Sequence, residues 1–245
     1  MEMTGGFPVG IVSTIHGPMF APIDDHIWPT LCSTGMWEGE LTWLIGDILE
    51  AGDEVCNVGA HVGWHTVGMA RSVGETGRVV AFEPDPGNRR LLDLNTAVYP
   101  QVDIRPLAVS DDLEVGVPWG LSAGNSGDHH LGVHVDGPRT LSVDVTTLAA
   151  EGVSPRMLVV DAQGADFRVL AGAGDALAEC EHVMVEFTPP ILNPDDLAVL
   201  DGFLDDGWEG EVLELGRTGI RSSRDAVRTL DLAGWGTATV HLWRG

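Results

Sequence analysis

Val55-Cys56-Asn57-Val58-Gly59-Ala60-His61-Val62-Gly63-Trp64-His65-Thr66 reads as a short apolar strand, a glycine-bearing turn and the opening of a helix. Gly59 and Gly63 bracket a turn at which backbone can approach a ligand with no Cβ in the way. The helix predicted over residues 64–72 points its free N–H groups and the positive end of its dipole back at that turn. Such a corner suits the carboxylate or phosphate end of a nucleotide-like cofactor. The glycine spacing decides among cofactors. A dinucleotide fingerprint needs G-x-G-x-x-G, whereas Ala60, His61 and Val62 separate the two glycines here, which disfavours pyrophosphate.

Downstream of this corner, the turn at residues 74–77 precedes a second strand, Arg78–Phe82, which ends at Glu83-Pro84-Asp85-Pro86. An acidic side chain at the carboxyl end of the second strand of such a sheet accepts hydrogen bonds from both ribose hydroxyls of an adenosine, and the prolines fix the turn that follows. Met157–Val160 is a continuous apolar run of the kind buried on both faces of a parallel sheet. It ends at Asp161-Ala162-Gln163-Gly164-Ala165-Asp166, and a further strand, His182–Phe187, delivers Glu186 to the same rim.

Together these blocks carry a resemblance. N-V-G-A-H-V-G-W-H-T resembles the D-V-G-A-N-x-G-x-x-T block of the FkbM family of S-adenosylmethionine-dependent methyltransferases. F-E-P-D-P matches that family's F-E-P-x-P, and D-A-Q-G-A-D with Val169-Leu170 resembles its D-V-x-G-A-E-x-x-V-L. The pattern spans roughly Trp37 to Phe187. It implies S-adenosylmethionine as cofactor, with Asn57, Gly59, Ala60, Gly63, Thr66, Glu83, Pro84 and Asp161 around it and Ser110 and Asp111 beside its adenine. It also implies an α/β, Rossmann-like class I methyltransferase fold: a mostly parallel seven-stranded sheet with one antiparallel strand near the edge and helices on both faces. Met36-Trp37-Glu38 resembles a short element that lies near the methionine end in the family. Three departures stand out: Asn57 replaces Asp and loses a charge, His61 replaces Asn, and Asp166 shortens a Glu.

The rest of the chain fits around this frame. Residues 7–28 suggest a β-hairpin within an N-terminal extension, residues 1–36, ahead of a single domain at 37–245. Leu41, Leu44, Ile45, Ile48 and Leu49 predict a helix that Gly52 stops. A helix follows Pro86, with Leu91, Leu92 and Leu94 or Val98 inward, and a third strand lies within 102–109. Residues 113–143 read as a hairpin-like insertion with a polar, glycine-rich tip bearing His129, His130 and His134, a candidate substrate loop. A helix from Pro194 and strands near 212–215 and 237–243 complete the sheet.

Composition narrows the function. The net charge of −24 and thirteen scattered basic residues, all arginine, argue against nucleic acid and exclude a lysine base or Schiff base. No apolar run approaches the ~20 residues that span a bilayer, and the start lacks a signal-peptide pattern, so a cytoplasmic protein without membrane association is expected. Cys32, Cys56 and Cys180 fit neither a disulfide framework nor a zinc site and are read as buried small hydrophobes. The leading expectation is O-methylation of a hydroxyl on a small molecule such as a sugar, glycan or secondary metabolite. The alternatives are a nicotinamide-dependent oxidoreductase and a cofactor-binding module without catalysis. Candidate catalytic residues are Asp161, Glu186, His61, His65, His129 and His130, of which a histidine takes the proton while Asp161 positions the acceptor. Asp161 and Glu186 alone do not make a metal ligand set.

Overall fold

The computed structural model describes residues 7–24, 26–132, 140–188, 194–214, 220–222 and 238–245. The chain opens with an antiparallel hairpin, β1 (Val9–Thr14) and β2 (Gly17–Pro22), turned at Gly17. A short helix that the sequence reading did not foresee follows, α1 (Ile27–Thr34). Asp24 Oδ1 starts it by accepting the backbone N–H groups of Ile27 at 2.9 Å and Trp28 at 3.1 Å. Cys32 lies exposed on this helix, against the expectation of burial, whereas Cys56 and Cys180 are buried; all three are free thiols.

The chain then proceeds through α2 (Gly39–Ile48), β3 (Glu54–Val58), α3 (Trp64–Val73), β4 (Arg78–Phe82), α4 (Pro86–Thr96) and β5 (Val102–Arg105). Pro86 at the first position of α4 needs no N–H partner, and Asp85 accepts the N–H groups of Gly87 and Asn88 at 2.6 and 3.0 Å. Within α4, Leu91 and Leu92 are buried while Leu94 and Val98 face out. Next come β6 (Ala108–Val109), β7 (Glu114–Gly120), β8 (His130–Leu131) and β9 (Thr140–Thr146), then α5 (Leu148–Glu151) and β10 (Met157–Val160). The chain continues through α6 (Asp166–Ala171), a 3₁₀ turn at Gly174–Leu177, β11 (His182–Phe187), α7 (Pro194–Asp205), β12 (Glu209–Glu214), β13 (Ile220–Ser222) and β14 (Ala238–Trp243).

The large sheet has the order β13-β12-β14-β11-β10-β3-β4-β5. β5, β4, β3, β10 and β11 are parallel, and β14 runs antiparallel to both of its neighbours. The eighth strand, one more than expected, is the three-residue β13 paired antiparallel on β12. From β3 the chain moves outward to β4 and β5, then returns to place β10 on the other side of β3. A crevice therefore opens at the carboxyl ends of β3 and β10, where open α/β sheets bind ligands. The central runs Val55-Cys56, Val79–Phe82, Met157–Val160 and Val183–Val185 are buried throughout, because helices cover both faces.

The third strand departs from the sequence reading. Pro106, which has no N–H to donate, ends β5 at Arg105. The chain then crosses to a second sheet of order β6-β9-β7-β8, where Ala108 pairs with Val145. The insertion is thus a small sheet with its own apolar cluster, including Trp119, Leu121, Val143 and Val145, rather than a bare hairpin. His134 lies outside the described residues. No helix among the described residues is long and apolar enough to cross a membrane.

Candidate functional site

A cavity of about 1180 Å³ opens at the carboxyl ends of β3, β4, β10 and β11, walled also by α1, the start of α2 and the insertion. Its floor is the turn after β3. Gly59 sits at φ 80°, and a Cβ there would run into the carbonyl oxygen of Asp161, so this glycine lets the ends of β3 and β10 meet. The N–H groups of Gly59 and Ala60 both donate to Phe82 O, at 3.1 and 2.9 Å, which ties the turn to β4.

Glu83 follows β4 and is buried. Its Oε2 accepts the His61 N–H and its Oε1 the Asp85 N–H, each at 2.8 Å. Burial, and secondarily the Asp85 charge, pushes its carboxyl up to about 8 despite those bonds.

On the opposite side, four carboxylates converge. Burial, then Glu38 and Asp166, pushes Asp161 up to about 7. Burial, then Asp161 and Asp166, raises Glu186 well above its ordinary value. Gln163 Nε2 donates to both, to Asp161 Oδ1 at 2.5 Å and Glu186 Oε2 at 3.1 Å. Asp166, pushed up by burial to about 6, accepts the N–H groups of Ala162 and Gly164 at 2.6 and 2.8 Å. Oxygens of Asp161, Asp166 and Glu186 lie within 4.8 Å of one another, so the structure adds a third carboxylate to the two read from sequence. A hard cation would have to compete with the backbone for Asp166. Glu38 joins this side with its Oε2 2.8 Å from His65 Nε2.

Backbone strain gathers around the cavity. Among the described residues, three non-glycine residues have positive φ, namely Glu38 (44°), His61 (50°) and Gln163 (47°), and all three line the cavity. Such conformations cost energy and persist where the surroundings hold them, most often at functional sites.

The model of the FkbM methyltransferase domain matches residues 57–216, well over half of the chain. The chain belongs to the FkbM methyltransferase family. No curated protein matches the sequence significantly. Among solved structures, a transferase from Pyrococcus horikoshii is 8% identical, with 97% of this chain and 72% of that one covered and a TM-score of 0.50. An S-adenosylmethionine-dependent O-methyltransferase from Thermotoga maritima is 13% identical, with 97% and 78% covered and a TM-score of 0.48. Fibrillarin from Aeropyrum pernix, with natively bound S-adenosyl-L-methionine, is 11% identical, with 83% and 74% covered and a TM-score of 0.47. At these identities the likeness concerns the fold alone, and of the three only the first reaches 0.50.

The cofactor of an FkbM methyltransferase is S-adenosylmethionine. The residues present fit it, since Glu83 is a buried acceptor suited to a diol and the turn at Gly59, where no Cβ stands in the way, lets backbone approach the ligand. Of the residues that the resemblance implies, this FkbM domain brings Asn57, Gly59, Ala60, Glu83, Pro84 and Asp161 to the cavity wall. Gly63 and Thr66 stand behind it. A Cβ on Gly63 would meet Leu92 Cδ1 at 2.7 Å, so that glycine serves the packing of α3 on α4. Thr66 Oγ1, fully buried, accepts a bond from Asn57 Nδ2 at 2.9 Å and so orients that side chain.

Ser110 and Asp111 are not on the wall, which Leu107, Ala108 and Val109 form instead. The crossing at Pro106 carries Ser110 under β9, where its N–H donates to Thr146 O at 2.9 Å and its Oγ to Asp111 Oδ1 at 3.0 Å. Asp111 Oδ1 lies 3.9 Å from Arg168 Nη1.

The histidines divide. His61 Nε2 is 2.9 Å from Ser126 Oγ, which donates onward to Asp24 Oδ2 at 2.8 Å, and burial followed by His129 pushes His61 down to about 4. His61 thus fastens the insertion and the N-terminal segment to the cofactor turn. His129 is buried beside Asp85, and His130 lines the cavity with its Nδ1 3.3 Å from Asp128 O. Sequence reasoning missed Asp24, Asn88, Ser126 and the bridging Gln163. Gln163 was within a recognised block, but nothing in the spacing of the others signalled that Ser126 would meet Asn88 across 38 residues and Asp24 across 102.

Proposed function

We propose that this chain O-methylates a hydroxyl of a small molecule, a sugar, glycan or secondary metabolite, in the cytoplasm. The observation that carries the reading is that one cavity joins a diol-accepting carboxylate, Glu83, to a group of raised carboxylates around Asp161. Its volume of about 1180 Å³ exceeds the ~300–1,000 Å³ that serves a single ligand, so cofactor and acceptor fit together. No arginine is on the wall among the described residues, and the chain carries net charge −24, which supports a neutral or cationic acceptor over nucleic acid.

S-adenosylmethionine supplies an electrophilic methyl group when bound. In this reading Glu83 holds the sugar hydroxyls while Asn57, Gly59, Ala60 and Pro84 shape the wall around them. Asp161, gripped by Gln163 and paired with Glu186, accepts the hydroxyl hydrogen of the acceptor and aims its oxygen. Alignment at ~3–3.5 Å supplies much of the rate. Of the four candidate histidines, His65 is favoured as the proton acceptor, because Glu38 orients it on the acidic side while His61 is committed to Ser126. The N-terminal extension, residues 1–36, and the insertion at about 113–143 frame the acceptor end.

Turnover of methyl-labelled cofactor against a metabolite pool tests this. Label should enter a neutral or cationic hydroxyl compound, with the rate rising through an apparent pKa near that of Asp161, about 7. His65→Ala should cost about 10²–10⁴ in rate, the usual scale of general-base catalysis. Labelling of RNA instead of metabolites would overturn the acceptor assignment, and intact turnover in both Asp161→Asn and His65→Ala would overturn the site.

A further inference from the structure

Beside Glu83 the wall holds polar atoms that the folded chain leaves without partners. Asn88, in the first turn of α4, donates its Nδ2 to Ser126 O at 3.1 Å, but its Oδ1 is buried with no hydrogen-bond partner among the described residues. His129 Nε2, reaching in from the insertion, is in the same condition. The two residues are 2% and 4% exposed, and both line the cavity. Buried polar atoms are paired in almost every folded protein, so two orphans on residues that line one cavity point to a ligand.

The chemistry of that ligand follows from the atoms. His129 Nδ1 stands 3.2 Å from Asp85 Oδ2, close enough for an ion pair though without the alignment of a hydrogen bond. With Nδ1 turned to that carboxylate, Nε2 is the ring atom left for a ligand, and Asn88 Oδ1 is an acceptor beside it. Both are anchored on the residue that also anchors Glu83. The Asp85 N–H donates to Glu83 Oε1 at 2.8 Å, its Oδ1 accepts the Asn88 N–H at 3.0 Å, and its Oδ2 faces His129. Three polar groups gathered around Asp85 match a ligand that presents several hydroxyls, each able to donate or accept.

We propose that Asn88 and His129 complete the ribose pocket of the cofactor, with Glu83 holding the sugar from the sheet and His129 from the insertion. This rests on the S-adenosylmethionine reading of the cavity. It makes the insertion part of the cofactor site, a role no motif in its sequence conveys. The pocket is held shut by side chains already in place: Asn88 Nδ2 on Ser126 O, and His61 on Ser126 Oγ.

Calorimetric titration of S-adenosylhomocysteine and its 2′-deoxy and 3′-deoxy analogues, into wild-type protein and His129→Phe, tests the proposal. His129→Phe should weaken the parent compound about tenfold, the scale of one lost hydrogen bond, and weaken one of the deoxy analogues by less than about twofold, since that analogue lacks the partner hydroxyl. An unchanged affinity for the parent, or equal losses for all three compounds, overturns the pocket. A second readout needs no variant. In wild-type protein the nitrogen-15 resonance of His129 Nε2 should move on addition of S-adenosylhomocysteine, and a resonance that stays put overturns the proposal even if His129→Phe fails to fold. Wild-type protein that binds no S-adenosylhomocysteine at all would overturn the cofactor reading itself, a different result from either.

Discussion

Glu83 and Asp161 are carboxylates at strand ends on one rim, yet they are held in different ways. Glu83 is fixed by two backbone N–H groups, those of His61 and Asp85, and its acidic neighbour is Asp85. Asp161 is held by a side chain, Gln163, and faces Glu38, Asp166 and Glu186. Backbone fixing makes a rigid acceptor suited to a ligand that is the same in every turnover. A side-chain cluster that shares protons suits the end at which a proton must move. The cofactor side is therefore expected to fail through geometry and the acidic side through charge.

The largest effect should come from the turn on which both ends rest. Gly59→Ala places a Cβ against the Asp161 carbonyl, and the backbone on both sides cannot give, so a loss above about 4 kcal/mol or failure to fold is expected. Gly152→Ala is the control. That glycine has φ 63° with nothing within 4 Å of a Cβ, and only the left-handed backbone cost of about 1–2 kcal/mol should appear. Thermal unfolding of the two variants separates clash from conformation.

Charge on the acidic side should appear in the pH dependence of stability. A carboxyl whose pKa rises from 3.8 unfolded to about 7 folded binds more protons in the native state between those values, so its burial costs stability as pH rises through that window. Above pH 8 the ionisation penalty at Asp161 is on the order of 2–4 kcal/mol. Asp161→Asn should therefore melt higher than wild type at pH 8.5 and lose that advantage at pH 4. An advantage that is the same at both values would show that Asp161 is not a strained carboxylate.

The same contrast explains what the sequence could reveal. Cofactor-side residues are local: strand, glycine turn and Glu83 each follow a strand end within a few positions, and the apolar runs of β3, β4, β10 and β11 predict where those ends lie. Ser110 and Asp111 were misplaced because Pro106 diverts the chain to a second sheet, an event of tertiary pairing rather than of local pattern. Asp24, Ser126 and His61 meet across segments far apart in the chain, so no periodicity announces them. Helix α1 depends on Asp24 capping rather than on an apolar stripe long enough to read.

The link from the insertion and the N-terminal segment to the cofactor turn is expected to have a smaller effect. Ser126→Ala removes the bond to Asp24 and the contact with His61, leaving buried polar atoms unpaired at a cost of about 1–3 kcal/mol. Hydrogen exchange should then rise at residues 122–130 with little change in β3 and β10. Equal loosening of the central strands would mean that the insertion and the sheet are one unit.

The division of labour between Glu83 and Asp161 is tested most directly by titrating S-adenosylhomocysteine into wild type, Glu83→Gln and Asp161→Asn, a measurement that needs no knowledge of the acceptor. At pH 9, where a carboxyl pushed up to about 8 is ionised, Glu83→Gln should raise the dissociation constant about tenfold to a hundredfold, the value of ~1.5–3 kcal/mol for bonds to a charged group, while Asp161→Asn changes it less than about threefold. The reverse order, or an unchanged constant in Glu83→Gln, would contradict the assignment of the two ends.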